Sequence, residues 1–232
     1  MPFGIIVDQA GSRYLNESES YIDFGHEMIE HHRETPAIPS WLILDIRHRR
    51  RYLSSALLAG GKSLRANGTV VSANTIEELA ARLHIDPAAL RATVERFNGF
   101  TRSGVDLDFG RGRTVYDNYY GDPGVKPNPN LGPIEKGPFT AVKVVPGDLG
   151  TKGGLLTDEN GQVLTEAGAP IAGLYAAGNT TASVMGRTYP GPGSTIAPAM
   201  VFGYLAARHA ATASVSVTPS ESVIPTEKEP LA

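Results

Sequence analysis

The sequence predicts an α+β protein, and three observations carry that expectation. Short apolar or alternating runs such as Trp41-Leu42-Ile43-Leu44 and Phe139–Val145 have the length and period of strands. Between them lie helical segments with recognisable starts, Asn74-Thr75-Ile76-Glu77-Glu78 and Asp86-Pro87. Glycine and proline, 26 and 17 in the chain, crowd into residues 99–193, which implies tight turns and close backbone approaches there.

Taken in order, Gly4–Asp8 is a β-rich run, and Gln9–Ser12 followed by Arg13-Tyr14-Leu15 reads as the second half of a hairpin. The polar turn Asn16–Ser20 favours a helix start. In the helix that follows, Tyr21, Phe24 and Met28 share a face at i, i+3 and i+7. Acidic Glu77 and Glu78 suit the first turn of the helix after Asn74, which ends near His84. Asp86 caps the next, with Pro87 at its first position and an apolar stripe of Leu90, Val94 and Phe97. Asn98–Gly137 is turn chemistry and aromatics, a stretch long enough to be a functional loop or cover. Leu155–Thr157 and Gln162–Leu164 flank Asp158–Gly161, a hairpin signal. Leu174–Ala177 is a strand that opens onto a glycine-rich loop, and a helix from Ser194 to His209 ends the folded part. Residues 211–232, rich in Ser, Thr, Pro and Glu, read as a disordered tail.

Composition narrows the function classes. At 232 residues, 41% hydrophobic and 19% charged, the chain can bury a real core. A formal charge of -3 without long single-sign runs argues against a nucleic-acid surface. No cysteine means no disulfide and no thiolate metal site, a composition that suits the cytoplasm. No leader and no 18-residue apolar run is visible, so neither export nor a membrane span is expected. His26, His31 and His32 read as a solvated face rather than metal ligands, and His48-Arg49-Arg50-Arg51 as a surface or ion-pair feature.

The chemistry concentrates in Gly173-Leu174-Tyr175-Ala176-Ala177-Gly178-Asn179 and Thr188-Tyr189-Pro190-Gly191-Pro192-Gly193-Ser194-Thr195-Ile196. A strand, a loop with few side chains and a helix start can hold the edge of a flat cofactor, because free amides there face an electron-rich oxygen. The same pattern also describes a tight crossover with no ligand.

Gly173–Asn179 resembles the carboxyl-terminal flavin motif of the fumarate reductase and succinate dehydrogenase flavoprotein superfamily. Ala182–Gly193 is more particular and is similar to the FAD-dependent 3-ketosteroid Δ1-dehydrogenases, as are Gly150–Leu155, Asp108–Gly112, Tyr119–Pro123 and Asn128–Leu131. The likeness runs from about Gly4 to His209. It implies FAD as cofactor and a 3-ketosteroid as substrate, desaturated between C1 and C2 with hydride passing to the flavin. It further implies that Tyr189 and the Gly193 amide bind the C3 carbonyl oxygen and that Tyr21 removes the C2 proton. On the cofactor side it implies Asn179 near the ribityl or phosphate region, and the amides of Thr195 and Ile196 at the pyrimidine edge; related flavoproteins often carry an acidic residue where Asn179 stands.

The family's phosphate-gripping Gly-x-Gly-x-x-Gly turn does not occur in this sequence. The resemblance therefore implies the carboxyl-terminal portion only: a substrate domain over residues 1–149, the C-terminal piece of an FAD-binding Rossmann-like α/β domain over 150–210, and a possible companion chain carrying the other half. Two rivals remain at this point, a reductase of an unsaturated acid and an inactive binding module for a flat apolar ligand.

Overall fold

The computed structural model describes residues 1–52 and 62–212. It divides into two compact units, one of residues 1–150 with Arg187–Pro192, the other of residues 151–186 with 193–212.

The first unit is built on an antiparallel sheet of β1 (Gly4–Val7), β2 (Ser40–Leu44), β3 (Val70–Ala73) and β4 (Phe139–Val144) in the order β1-β2-β4-β3. Register places Ile5 opposite Ile43 and Val7 opposite Trp41, while Ala141 stands between Ile43 and Val71. Because strand side chains alternate, one set faces a single side. Against that side pack Ile76, Leu79, Ala80 and Leu83 of α4 (Ile76–Leu83) and Leu90, Val94, Phe97 and Phe100 of α5 (Pro87–Ser103). A smaller cluster of Leu44, Val70 and Val142 lies apart from this core. Helices gathered on one face of an antiparallel sheet make an α+β layer.

The predicted starts hold. Thr75 accepts from the Glu78 amide at 3.1 Å, and Asp86 from the Ala88 amide at 3.0 Å. Gly104 ends α5 at φ 79°, where a Cβ would lie 2.7 Å from the Pro127 ring, so only glycine fits. Helix α5 thus runs six residues into the stretch expected to be irregular from Asn98, and α6 (Val115–Tyr119) interrupts it again.

Arg13–Leu15 is not a strand. The partner of β1 is β2, because Asp8 turns the chain by accepting from the Ala10 and Ser12 amides, both at 2.9 Å, after which Arg13 is drawn into buried ion pairs. The His48 cluster is not all surface: His48 is buried in α2 (Ile46–Arg51), and Arg51 pairs with Asp122. Among the described residues of this unit there are also the helices α1 (Tyr21–His31) and α3 (Lys62–Ala66).

In the second unit β5 (Gln162–Leu164) pairs antiparallel with β6 (Pro170–Tyr175), a 3-10 turn covers Gly178–Thr180, and α7 spans Ile196–Thr212. The expected turn forms, with Asp158 accepting from the Asn160 and Gln162 amides at 2.9 and 2.8 Å. Helix α7 outlasts its expected end at His209, as Ala210 and Ala211 favour continuation. Ala211 and Thr212 are therefore helical, and the rest of the expected tail lies outside the described residues.

Asp45 joins β2 to the segment that enters β4. Its buried carboxylate accepts from the amides of Arg47, Glu135 and Lys136 at 2.8, 2.8 and 2.7 Å and pairs with the Arg47 guanidinium. Asp45→Ala strands these donors, so urea unfolding should show a loss of about 3–5 kcal/mol. A midpoint within error of the parent would refute this assignment.

Candidate active site

The first site element is the loop that leads into α1 (Tyr21–His31). Glu17 is buried and accepts from Arg13 Nε at 2.9 Å and Arg13 Nη2 at 2.8 Å, from Arg111 Nη1 at 3.0 Å and from the Ile6 amide at 3.1 Å. Arg13 also donates to Asp106 at 3.0 Å, and Arg111 to the carbonyls of Gly4 at 2.8 Å and Met1 at 2.7 Å. Burial alone would push the Glu17 carboxyl up; the Arg13 and Arg111 guanidiniums outweigh it and hold Glu17 below the usual carboxylate range. Two cations and two anions balance, which makes their burial tolerable.

Three polar ties fasten α6 to the same loop. Asn16 donates to Asp117 at 3.3 Å, Ser18 to Asn130 at 3.1 Å, and Asn130 to Asn118 at 2.7 Å. Thr114 and Asp117 close a capping box at the start of α6. Asp108–Gly112 and Asn128–Leu131, which stood out in the sequence as motifs, thus join residues 13–18 as the braces of one small region.

That region presents tyrosines. Ser20 caps α1 by accepting from the Asp23 amide at 3.1 Å, so Tyr21 is the first helical residue and is 51% exposed. Its ring lies 4.5 Å from that of Tyr189, tilted by 47°, and the two phenols are hydrogen-bonded. On the expected apolar face only Met28 is buried, so Tyr21 is not a core aromatic. Its phenol is pushed up from 10.0, first by desolvation and then by the hydrogen bond to Tyr189 and the charges of Tyr189 and Tyr116. Burial and the bond to Tyr189 thus favour the neutral phenol of Tyr21, and what the geometry supplies is a hydrogen-bonded pair of phenols.

Sequence reasoning missed Tyr116, on α6. It is half-buried, and its ring edge lies where a Cβ on Gly191 would be 3.8 Å away. Its phenol is also pushed up, first by desolvation and then by Tyr189, Tyr120 and Asp23. A five-residue helix has no period to read, which is why only the neighbouring Tyr119-Tyr120 pair drew notice. His31 was also misjudged as solvated. Its imidazole stacks on Tyr14 at 4.3 Å and meets Asp8 at 2.9 Å.

The other predicted residues lie in the second unit. Asn179 is exposed within the 3-10 turn. Gly193 is exposed at φ 95°, with nothing within 4 Å of the place a Cβ would take. The Ala197 amide donates to the Gly193 carbonyl at 2.8 Å, the first helical bond of the segment. The amides of Ser194, Thr195 and Ile196 accordingly have no acceptor within the helix. Thr195 and Ile196 are exposed, Ile196 at 64%. A row of amides at the positive end of a long helix, beside glycines that carry no side chain, fits the electron-rich edge of a flavin ring. Nothing among the described residues supplies a phosphate-gripping turn, and they contain no cluster suited to a metal.

A family profile described as FAD binding domain matches residues 1–196. The chain belongs to the FAD-binding domain family. Within that family it is 51% identical over 218 residues to a 3-oxosteroid 1-dehydrogenase of Mycobacterium tuberculosis, covering 90% of this chain and 39% of that protein. It is 44% identical to a 4-oxocyclohex-2-ene-1-carboxylate 5-dehydrogenase of Sinomonas cyclohexanicum, over 91% of this chain and 36% of that one. Among solved structures it resembles the 3-ketosteroid Δ1-dehydrogenase of Sterolibacterium denitrificans in complex with 1,4-androstadiene-3,17-dione, with a TM-score of 0.84 and 44% identity over 90% of this chain and 39% of that one. The resemblance read from the motifs is borne out, and the chain spans well under half the length of these relatives. No helix among the described residues is long and apolar enough to cross a membrane.

Glu19, just before the Ser20 cap, gives this region a measurable pH response. Burial first, then the Glu27 charge and hydrogen bond, with Asp23 and Glu17 adding, raise it from 4.5 to about 8. A carboxyl raised on folding binds its proton more tightly in the folded state. Its stabilisation is full below about 4.5 and is lost as pH rises through about 8. Unfolding free energy measured in urea across that window should fall less steeply in Glu19→Gln than in the parent; equal slopes would disprove the assignment.

Proposed function

We propose that this chain supplies the substrate-facing part and the flavin-edge part of an FAD-dependent 3-ketosteroid Δ1-dehydrogenase. The observation that carries the reading is the hydrogen-bonded pair of Tyr21 and Tyr189, brought together from distant parts of the sequence. Two phenols at this distance can divide the work that removing a proton beside a ketone requires. Tyr189 donates to the C3 carbonyl oxygen, joined by the Gly193 amide, and both bonds strengthen as that oxygen gains negative charge. Tyr21 in its phenolate form takes the C2 proton and becomes the neutral phenol, while Tyr189 keeps its own proton as the donor to the carbonyl. When bound, FAD supplies the hydride-accepting chemistry at C1. Asn179 and the amides of Thr195 and Ile196 would hold it. Because Tyr21 is pushed above its ordinary 10.0, the proton-removal rate should climb with pH through the neutral and alkaline range.

A reductase of an unsaturated acid needs cations free to meet a carboxylate. Arg13, Arg47 and Arg111 are committed to Glu17, Asp45 and Asp106 inside the fold and so do not serve a substrate carboxylate. The relatives' names share a ring ketone, and the substrate named for one of them carries a carboxylate as well.

The dinucleotide half of the cofactor site we assign to polypeptide outside the described residues, in a companion chain or a further length of this one. Unit two supports this by its surface. On α7, Ile196, Met200, Val201 and Tyr204 are between 54% and 70% exposed, and Ile171 and Leu174 of β6 are exposed as well. So much exposed apolar surface on two elements is typical of a covered interface. Alone, the chain lacks the charge-assisted bonds to a pyrophosphate, each about 1–3 kcal/mol, and should be purified without stoichiometric flavin.

In an assembly that restores the missing half, Tyr189→Phe should lower turnover about 10²-fold and weaken ketone binding. Tyr21→Phe should lower it about 10²–10⁴-fold with steroid affinity nearly intact. The decisive readout is exchange of the C2 hydrogens with deuterated water, followed beside flavin reduction. Exchange and reduction at the parent rate in Tyr21→Phe would remove Tyr21 from the mechanism.

A further inference from the structure

We propose that Tyr116 is the positioning residue for Tyr189, a proposal that rests on reading Tyr189 as the donor to the substrate oxygen. The argument begins with the segment Arg187–Pro192, which belongs to the first unit although the chain on either side of it belongs to the second. Such an excursion has no strand or helix of its own to fix it, so its side-chain directions must be set by what it rests against.

At Gly191 the neighbouring side chain is Tyr116. A Cβ at Gly191 would stand 3.8 Å from Tyr116 Cε2, an ordinary van der Waals contact, so the ring edge lies close along the backbone two residues after Tyr189. Gly191 sits at φ 144°, a conformation that side-chain-bearing residues rarely adopt, and the backbone can follow this path only as glycine. The Tyr189 ring itself stands 4.5 Å from that of Tyr21 between centroids. Tyr189 therefore has an aromatic neighbour at its own ring, and the backbone two residues further on has another.

The position of Tyr116 is itself over-determined. Helix α6 is too short to be stable by itself. Its capping box, the Asn16–Asp117 bond at 3.3 Å and the Asn118–Asn130–Ser18 chain at 2.7 and 3.1 Å pin it to the loop that delivers Tyr21. Asp117 is buried and also accepts from the Gly112 amide at 2.9 Å. Tyr21 and Tyr116 thus stand on one braced platform, and Tyr189 is seated on it. The phenols agree with this closeness: Tyr116 responds to Tyr189, Tyr120 and Asp23, and Tyr21 to Tyr189 and Tyr116.

Ring and hydroxyl have separable parts in this account. Seating Gly191 needs the ring, so phenylalanine should replace Tyr116 and alanine should not. The test is performed on the purified chain with ¹³Cζ-labelled tyrosine, following each phenol by NMR as pH rises. In the parent, Tyr21 should ionise above 10.0, and in Tyr189→Phe it should fall back toward 10.0 because its hydrogen-bond partner is gone. Both Tyr116→Ala and Tyr116→Phe remove the Tyr116 charge, so Tyr21 should fall somewhat in each, and it should fall further in Tyr116→Ala, where the seat of Tyr189 is lost as well. A nuclear Overhauser contact between the Tyr116 ring and the Gly191 α-protons, sought in the parent, needs no variant. Tyr21 ionisation that is the same in Tyr116→Ala as in Tyr116→Phe, or absence of that contact, overturns the proposal. The outcome is separate from catalysis: if the titrations behave as stated while Tyr189→Phe leaves turnover of the restored assembly unchanged, the positioning stands and the role given to Tyr189 falls.

Discussion

The placement of Tyr21 depends on the buried ion-pair network of Arg13, Glu17, Asp106 and Arg111. Its members come from two distant stretches of the chain, and each charge meets an opposite charge at 2.8 to 3.0 Å. Balanced charges of this kind contribute little net stability against an apolar core of equal volume, yet removing any one leaves the others exposed to the full desolvation cost. Such an arrangement is intolerant of slack. Glu17 also binds the Ile6 amide of β1, and Arg111 binds the Gly4 carbonyl, so the network is registered directly against the edge strand of the sheet. Sheet, loop, α1 and α6 are therefore fixed as a group, and the tyrosines carried by the last two inherit that precision.

The second unit is built to the opposite principle. Its hairpin and long helix bury little besides Val163 and Ala206, although the sequence of α7 is strongly apolar. Polar contacts hold it together: the Asp158 turn, the Tyr175–His209 bond at 2.8 Å, and backbone bonds such as Leu155 to Thr180 at 3.0 Å. An element with apolar residues around its circumference is normally buried on all sides. The surface left open on α7 and β6 is consistent with the proposal that further polypeptide completes the cofactor domain.

What the sequence revealed divides along the same physical line. Strands and helices with long periods and clear caps were legible: β2, β4, α4 and α5 appear where Trp41–Leu44, Phe139–Val145, Thr75 and Asp86 indicated them. Tyr21 at a helix start was legible because Ser20 and the polar turn before it favour a cap. Arg13–Leu15 was misread as a strand because alternation in three residues does not reveal that the arginine points into a carboxylate pair. The Tyr21/Phe24/Met28 stripe was real in period but not in burial, since only Met28 reaches the interior and Tyr21 pairs with Tyr189 instead. Tyr116 was hidden because its helix has one turn and its partners lie far along the chain. Local propensity reads what neighbours decide, and side-chain networks between distant loops are outside its reach.

The central claim is that the buried charges place the tyrosines, and native-state hydrogen exchange of Glu17→Gln tests it most directly. The substitution keeps the shape and removes one charge, leaving two buried guanidiniums opposite Asp106 alone. The account predicts a marked loss of protection at the amides of the first turn of α1 and of α6 together, with β2 and β4 retaining theirs. Protection unchanged in both helices, or lost in the loop around residue 17 alone, would contradict it.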